Sequence, residues 1–152
     1  MDFPLLMASR TAGHRTRKLA MRSLGEIGLF PGQEVVLIEL LTRGELNQTE
    51  LASALEVEPP TCTSIVGKLE KAGHVTRTTR GREKRVALTS AGRVTAEQAV
   101  QVYAAMERSL SSGLTPQEID HVLTSLHAVA HAADQALAPN PDPTSDEPMT
   151  EQ

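Results

Sequence analysis

Aromatic side chains are nearly missing from this sequence: 2% of its 152 residues, with no Trp, one Tyr (Tyr103) and two Phe (Phe3 and Phe30). Any core must therefore be aliphatic, which suits packed helices better than a β-sandwich, where aromatic and β-branched residues are favoured. Cysteine is as scarce. The single Cys62 allows no internal disulfide, so nothing in the chain points to an oxidising compartment. No stretch approaches the ~18 consecutive apolar residues of a membrane span, and no basic segment followed by an apolar run resembles a signal peptide. A cytoplasmic protein with no membrane partner is expected. Gly-rich phosphate loops, nucleophile elbows and paired-carboxylate clusters are also lacking, which argues against an enzyme and gives no cofactor to expect.

What is present is unevenly distributed. Hydrophobic residues make up 39% and charged residues 22% of the chain, with a net charge of −4. That sum alone would argue against a polyanionic partner. Its distribution argues the opposite. Arg10, Arg15, Arg17, Lys18 and Arg22 form one acid-free cluster; Lys68, Lys71, Arg77, Arg80, Arg82, Lys84, Arg85 and Arg93 form a second, interrupted only by Glu70 and Glu83. Only Arg43 and Arg108 of the 15 Lys and Arg lie elsewhere. A polyanion responds to the local field, so this segregation is a partner signal.

Helical periodicity dominates the pattern. Leu5, Ala8, Ala12, Leu19 and Leu24 space a first helix that breaks near Gly25 and Gly28. Pro31 is expected in the first turn of a second helix, where its missing N–H costs nothing. Val35, Val36, Ile38, Leu40 and Leu41 make that helix apolar on most sides, hence central, until Gly44 ends it. Asn47 with Glu50 three residues on approximates a capping box for a short helix over 48–55. Val57, Glu58, Pro59 and Pro60 read as a turn, because proline cannot occupy a helix interior. A further helix over 61–72 is then stopped by Gly73. Segments 74–79 and 84–89, rich in Val and Thr, flank Arg80-Gly81-Arg82-Glu83 as a tight β-hairpin. A long helix follows from Ser90 to about Leu110, and Thr115, Pro116 and Glu118 open the last. Its stripe is Ile119, Val122, Leu123, Leu126, Ala130, Ala133 and Leu137. Residues 139–152, rich in Pro and acids, are expected to be a disordered tail.

Two short helices joined by a turn, then a hairpin with a basic tip, are the parts of a winged helix-turn-helix. The expected fold is mostly α with a small β-hairpin wing, joined to a helical dimerisation part. On the helix over 61–72, Cys62, Ile65, Val66 and Leu69 form one apolar stripe. The opposite face carries Thr63, Ser64, Gly67, Lys68 and Lys71: small or hydroxylic first, then basic, as a helix entering a major groove requires. Two strands of about five residues project the Arg80–Arg82 tip ~15 Å, within reach of an adjacent minor groove. Gln48 and Thr49, at a helix N-terminus, suit a phosphate contact. The expected DNA-binding residues are Gln48, Thr49, Thr61, Thr63, Ser64, Lys68, Lys71, Arg77, Arg80, Arg82, Lys84 and Arg85.

Four segments carry a more specific likeness: Gly28-Leu29-Phe30-Pro31-Gly32-Gln33, Leu46-Asn47-Gln48-Thr49-Glu50-Leu51-Ala52, Leu69-Glu70-Lys71-Ala72-Gly73-His74-Val75 and Val86-Ala87-Leu88-Thr89-Ser90-Ala91-Gly92. Together they resemble the MarR (multiple antibiotic resistance regulator) family over about residues 5–138. The resemblance implies a homodimeric repressor of a palindromic operator in double-stranded DNA, often released by a small-molecule or oxidant effector. It also implies one domain over 1–138, with the winged helix-turn-helix at about 30–90 and dimerisation helices at about 4–25 and 90–138. Of that family's wing motif, Asp-x-Arg-x-x-x-Val-x-Leu-Thr, this sequence supplies Arg82, Val86, Leu88 and Thr89, while Arg80 stands where Asp is usual.

Dimerisation has a physical basis as well. The first helix and the last two carry wider apolar stripes than a winged helix can cover, and a second copy would remove them from water at about 25 cal/mol per Å². Two recognition helices would then lie ~34 Å apart, one DNA turn. His14, Arg17, Phe30 and Tyr103 are the candidates for binding an effector, though His14 and Arg17 could equally be solvated or touch DNA. Cys62 reads as a small buried hydrophobe rather than an oxidant sensor. His127 and His131, four apart with Asp120 and Asp134 nearby, have zinc-like spacing, but an exposed polar face is the preferred reading and no metal is assigned. The alternative function is a winged-helix protein-interaction module that has no DNA binding and offers its basic face to an acidic partner.

Overall fold

The structure, a computed structural model, describes residues 2–138; the expected tail, 139–152, lies outside them. In chain order the elements are α1 (Pro4–Gly25), α2 (Gln33–Arg43), β1 (Leu46–Asn47), α3 (Gln48–Leu55), α4 (Pro59–Lys71), β2 (Val75–Arg80), β3 (Glu83–Leu88), α5 (Ser90–Leu110) and α6 (Pro116–Leu137). The chain divides into two compact units after Leu110. Among the described residues no helix is long and apolar enough to cross a membrane.

The first unit holds the core, and that core is aliphatic. Leu24, Leu29, Val36, Leu37, Leu51, Val66 and Leu69 are fully or almost fully buried, whereas Phe3 and Phe30 are exposed. Helix α2 is central, as its apolar pattern predicts, but it begins at Gln33 and not at Pro31. Gly32 precedes it with φ +98°, a left-handed conformation that glycine adopts without a steric penalty. That break places Pro31 ahead of the helix. The turn is closed from both sides: Phe30 N–H donates to Gln33 Oε1 at 2.9 Å, and Gln33 N–H donates to the Phe30 carbonyl at 3.0 Å.

Helix α4 departs from expectation in the opposite direction. It starts at Pro59, so both prolines lie inside its first turn and not in a preceding loop. At N1 and N2 a proline forfeits only donors that no helical carbonyl could receive, and its fixed φ already suits the helix. The first available donors, Thr61 N–H and Cys62 N–H, reach the Glu58 carbonyl at 3.0 and 3.2 Å. Gly73, with φ +79°, ends the segment.

Strands β2 and β3 pair antiparallel from Val75↔Leu88 to Arg80↔Glu83, leaving Gly81 and Arg82 as a two-residue tip. Gly81 has φ +62°, the requirement of such turns. A third strand was not anticipated. β1 pairs with β3 through Leu46↔Val86 and Asn47↔Arg85, giving the order β1-β3-β2. At the other end of the hairpin, Thr89 Oγ1 donates to the Gly73 carbonyl (2.7 Å) and accepts from Gly92 N–H (3.0 Å), starting α5. Gly92 lies against the His74 carbonyl with no room for a side chain.

In the second unit, α6 opens on a full capping box between Thr115 and Glu118. Hydrogen bonds from Thr115 hold the Glu118 carboxyl below the usual range. Val122, Leu123, Leu126 and Leu137 are exposed on this helix, as are Phe3, Leu5, Leu6 and Met7 at the start of the chain.

Candidate nucleic-acid interface

Helix α4 divides as its sequence requires. Cys62, Val66 and Leu69 face the core with no measurable exposure, and Ile65 packs beside them. Thr61, Thr63, Ser64, Lys68 and Lys71 are exposed on the outside. Burial pushes the Cys62 thiol above its ordinary pKa, the opposite of what thiolate chemistry needs.

Between α3, α4 and the wing lies a groove of about 190 Å³ lined by Gln48, Thr63, Arg77, Lys84, Arg85 and Val86. Five of the sequence-derived DNA-binding residues thus share one concavity. Gln48 Nε2 donates to Thr63 Oγ1 at 2.9 Å, and Thr63 Oγ1 in turn donates to the Pro59 carbonyl at 2.9 Å. Thr49 is exposed one position into α3.

The basic residues are not equivalent. Lys68, Lys71, Arg82 and Lys84 carry no ion pair among the described residues and point outward. Arg77 faces Glu70 at 3.3 Å, and Arg80 faces Glu45 at 3.4 Å. Pairs this exposed contribute at most about 1 kcal/mol each, so a phosphate could displace them. Arg85 is different. It is half-buried, donates to the Glu45 carbonyl at 2.9 Å, and lies 2.8 Å from Glu83 and 3.6 Å from Glu50.

Asn47 completes this wing root. Its Oδ1 accepts from Glu50 N–H (2.9 Å), its own N–H donates to Glu50 Oε2 (2.7 Å), and its Nδ2 donates to Glu83 Oε1 (2.7 Å). The Asn47 amide and the Arg85 guanidinium hold the Glu83 carboxyl below the usual range. Sequence reasoning found Asn47 only as a cap and missed Glu45, Glu50 and Glu83 as wing partners. One signal was available: Glu83 and Arg85 stand two apart on a strand and therefore share a face.

The four effector candidates do not converge on a described cleft. His14 and Arg17 are exposed on α1, and Phe30 is 71% exposed. Tyr103 donates to Glu34 Oε1 at 2.8 Å. Glu34 is 3% exposed, and its Oε2 has no hydrogen-bond partner among the described residues. Burial, then the adjacent carboxylate, push the Tyr103 hydroxyl well above the ordinary tyrosine pKa. A cleft between α1 and α5 is lined instead by Leu19, Ser23, Glu26, Val102, Met106 and Ser109, among others. On α6, His131 pairs with Gln135 at 3.2 Å, and no group of three metal-ligating side chains occurs among the described residues.

The helix-turn-helix and wing match a family model, the MarR family, over residues 29–87. A curated relative, the HTH-type transcriptional repressor MdtR of Bacillus subtilis, is 29% identical over 119 residues, 76% of this chain and 75% of that one. Among solved structures, the transcriptional repressor CouR bound to p-coumaroyl-CoA is 28% identical with a TM-score of 0.75, covering 83% of this chain and 91% of that one. The Staphylococcus aureus MepR–DNA complex is similar in fold, with a TM-score of 0.78 at 23% identity over 86% of this chain and 99% of the other.

Proposed function

We propose that this chain, whose residues 29–87 match the MarR family model, is a transcriptional regulator of that family and not an enzyme: a cytoplasmic homodimeric repressor of a palindromic operator, released by a small-molecule or oxidant effector. One MarR-like domain over 1–138 would then combine the DNA-reading part with dimerisation helices at each end. The observation that carries the DNA reading is the outward set Lys68, Lys71, Arg82 and Lys84 on one helix and its neighbouring hairpin, without ion pairs among the described residues. Thr63, Ser64 and Lys68 work in the major groove, with Lys71, Arg77 and Lys84 towards phosphates and Arg80 and Arg82 in the minor groove. The repressor sense is supported by the similarity to MdtR, itself a transcriptional repressor, and a ligand by the one bound to CouR.

The test is a salt titration of duplex binding. Arg82→Ala should weaken binding and lower the magnitude of the salt slope by about one. Unchanged affinity and slope would remove Arg82 from the interface. A wild-type protein without salt-dependent duplex binding would leave the protein-interaction reading in its place.

A further inference from the structure

We propose that Gln48, set by Thr63, reads an adenine edge in the major groove; this rests on the DNA-binding reading above and assigns Gln48 a base, where its place at a helix start suggested only a phosphate. The argument is a count of protons. A threonine hydroxyl has one hydrogen to donate. That of Thr63 goes to the Pro59 carbonyl at 2.9 Å, the carbonyl four residues back in α4. Towards Gln48 the same oxygen can only accept. The Gln48 group facing it at 2.9 Å must therefore be the amide nitrogen, Nε2. That assignment turns Nε2 towards Thr63 and Oε1 away from it.

That orientation fixes what Gln48 offers outward. Nε2 retains its second N–H, and Oε1 appears in no hydrogen bond among the described residues. A donor and an acceptor side by side complement adenine, which presents the N7 acceptor and N6 amine donor in the major groove. Guanine presents two acceptors there, so one of the two contacts would be lost. The position is also suitable. Thr63 stands on the exposed face in the N-terminal half of α4, the half of a recognition helix that approaches base edges. Gln48 is the first residue of α3 and lines the groove beside it. Gln48 touches the base; Thr63 is the positioning residue.

The experiment is selection of bound duplexes from a random-sequence pool by the full chain, followed by titration of the selected duplex and its single-position A·T→G·C variants. Wild type is expected to enrich adenine at one position of the half-site and to discriminate there by about 5- to 100-fold. Gln48→Ala should lose that preference while keeping the rest of the selected sequence. Gln48→Glu should shift the preference towards cytosine, whose N4 amine suits a carboxylate. Thr63→Val, at an exposed position, should reduce the discrimination without moving the thermal midpoint. The inference is overturned if Gln48→Ala retains the adenine preference, or if it weakens all sequences equally, as loss of a phosphate contact would. Salt-dependent duplex binding by wild type with no enriched adenine overturns it too, yet leaves the DNA reading standing. Absence of any duplex binding by wild type removes both.

Discussion

Tyr103 shows how much a single side chain can report. It is the sole tyrosine of the chain, and among the described residues its hydroxyl is the one hydrogen-bond donor to the buried Glu34 carboxylate. Because the pKa is raised in the folded protein, its contribution to stability is complete below the unfolded tyrosine value of about 10 and is lost as pH rises above it. Phenolate absorbance should therefore titrate at higher pH in the native chain than in urea. Tyr103→Phe should flatten the alkaline fall in thermal midpoint. It also leaves Glu34 unpartnered, at a cost of about 1–3 kcal/mol in chemical denaturation. Coincident native and unfolded titration curves would show that the bond does not form.

At the scale of elements, the start of α3 is stabilised by more than its own cap. Asn47→Ala should cost about 1 kcal/mol from the cap alone and also loosen the wing through Glu83. Arg85→Ala should lower the thermal midpoint more than Arg82→Ala, because only Arg85 joins Glu45, Glu50 and Glu83. The Glu83 pKa is depressed, so its contribution is complete above about pH 4.3 and fades as pH falls below it; in the Asn47→Ala variant that acid dependence should shrink. Equal midpoints for the two arginine variants would contradict the assignment. Most helices, both capping boxes and the hairpin tip were legible in sequence, because each depends on neighbours three or four positions apart. The start of α4 was misplaced because proline was weighed as a helix breaker and not as a first-turn residue. β1 was invisible: a two-residue strand carries no alternation, and its identity comes from β3, 40 positions away at Leu46↔Val86. For the same reason Arg85 read as one more basic residue until its three acidic neighbours were placed.

For the whole molecule, two properties matter: where the charge lies and which apolar surface is left over. The net charge of −4 would mislead if taken as uniform, since the basic residues concentrate on α1 and from α4 through the wing to the start of α5. Apolar side chains on α1 and, separately, on α6 remain exposed, and a second copy covering them would gain about 25 cal/mol per Å². Sedimentation equilibrium at micromolar protein should return a dimer, and Leu126→Glu should shift it towards monomer; a wild-type monomer at that concentration would exclude the two-fold arrangement. The wing root sets a mechanical constraint as well. Arg85 and Asn47 tie the hairpin to the entrance of α3, and Gln48 ties α3 to α4 through Thr63, so wing and reading helix share one chain of polar contacts. If the proposed regulator is released by a signal, folding the wing away alone would have to break the Asn47–Glu83 and Arg85–Glu50 contacts, whereas swinging wing and α3 together would leave them intact.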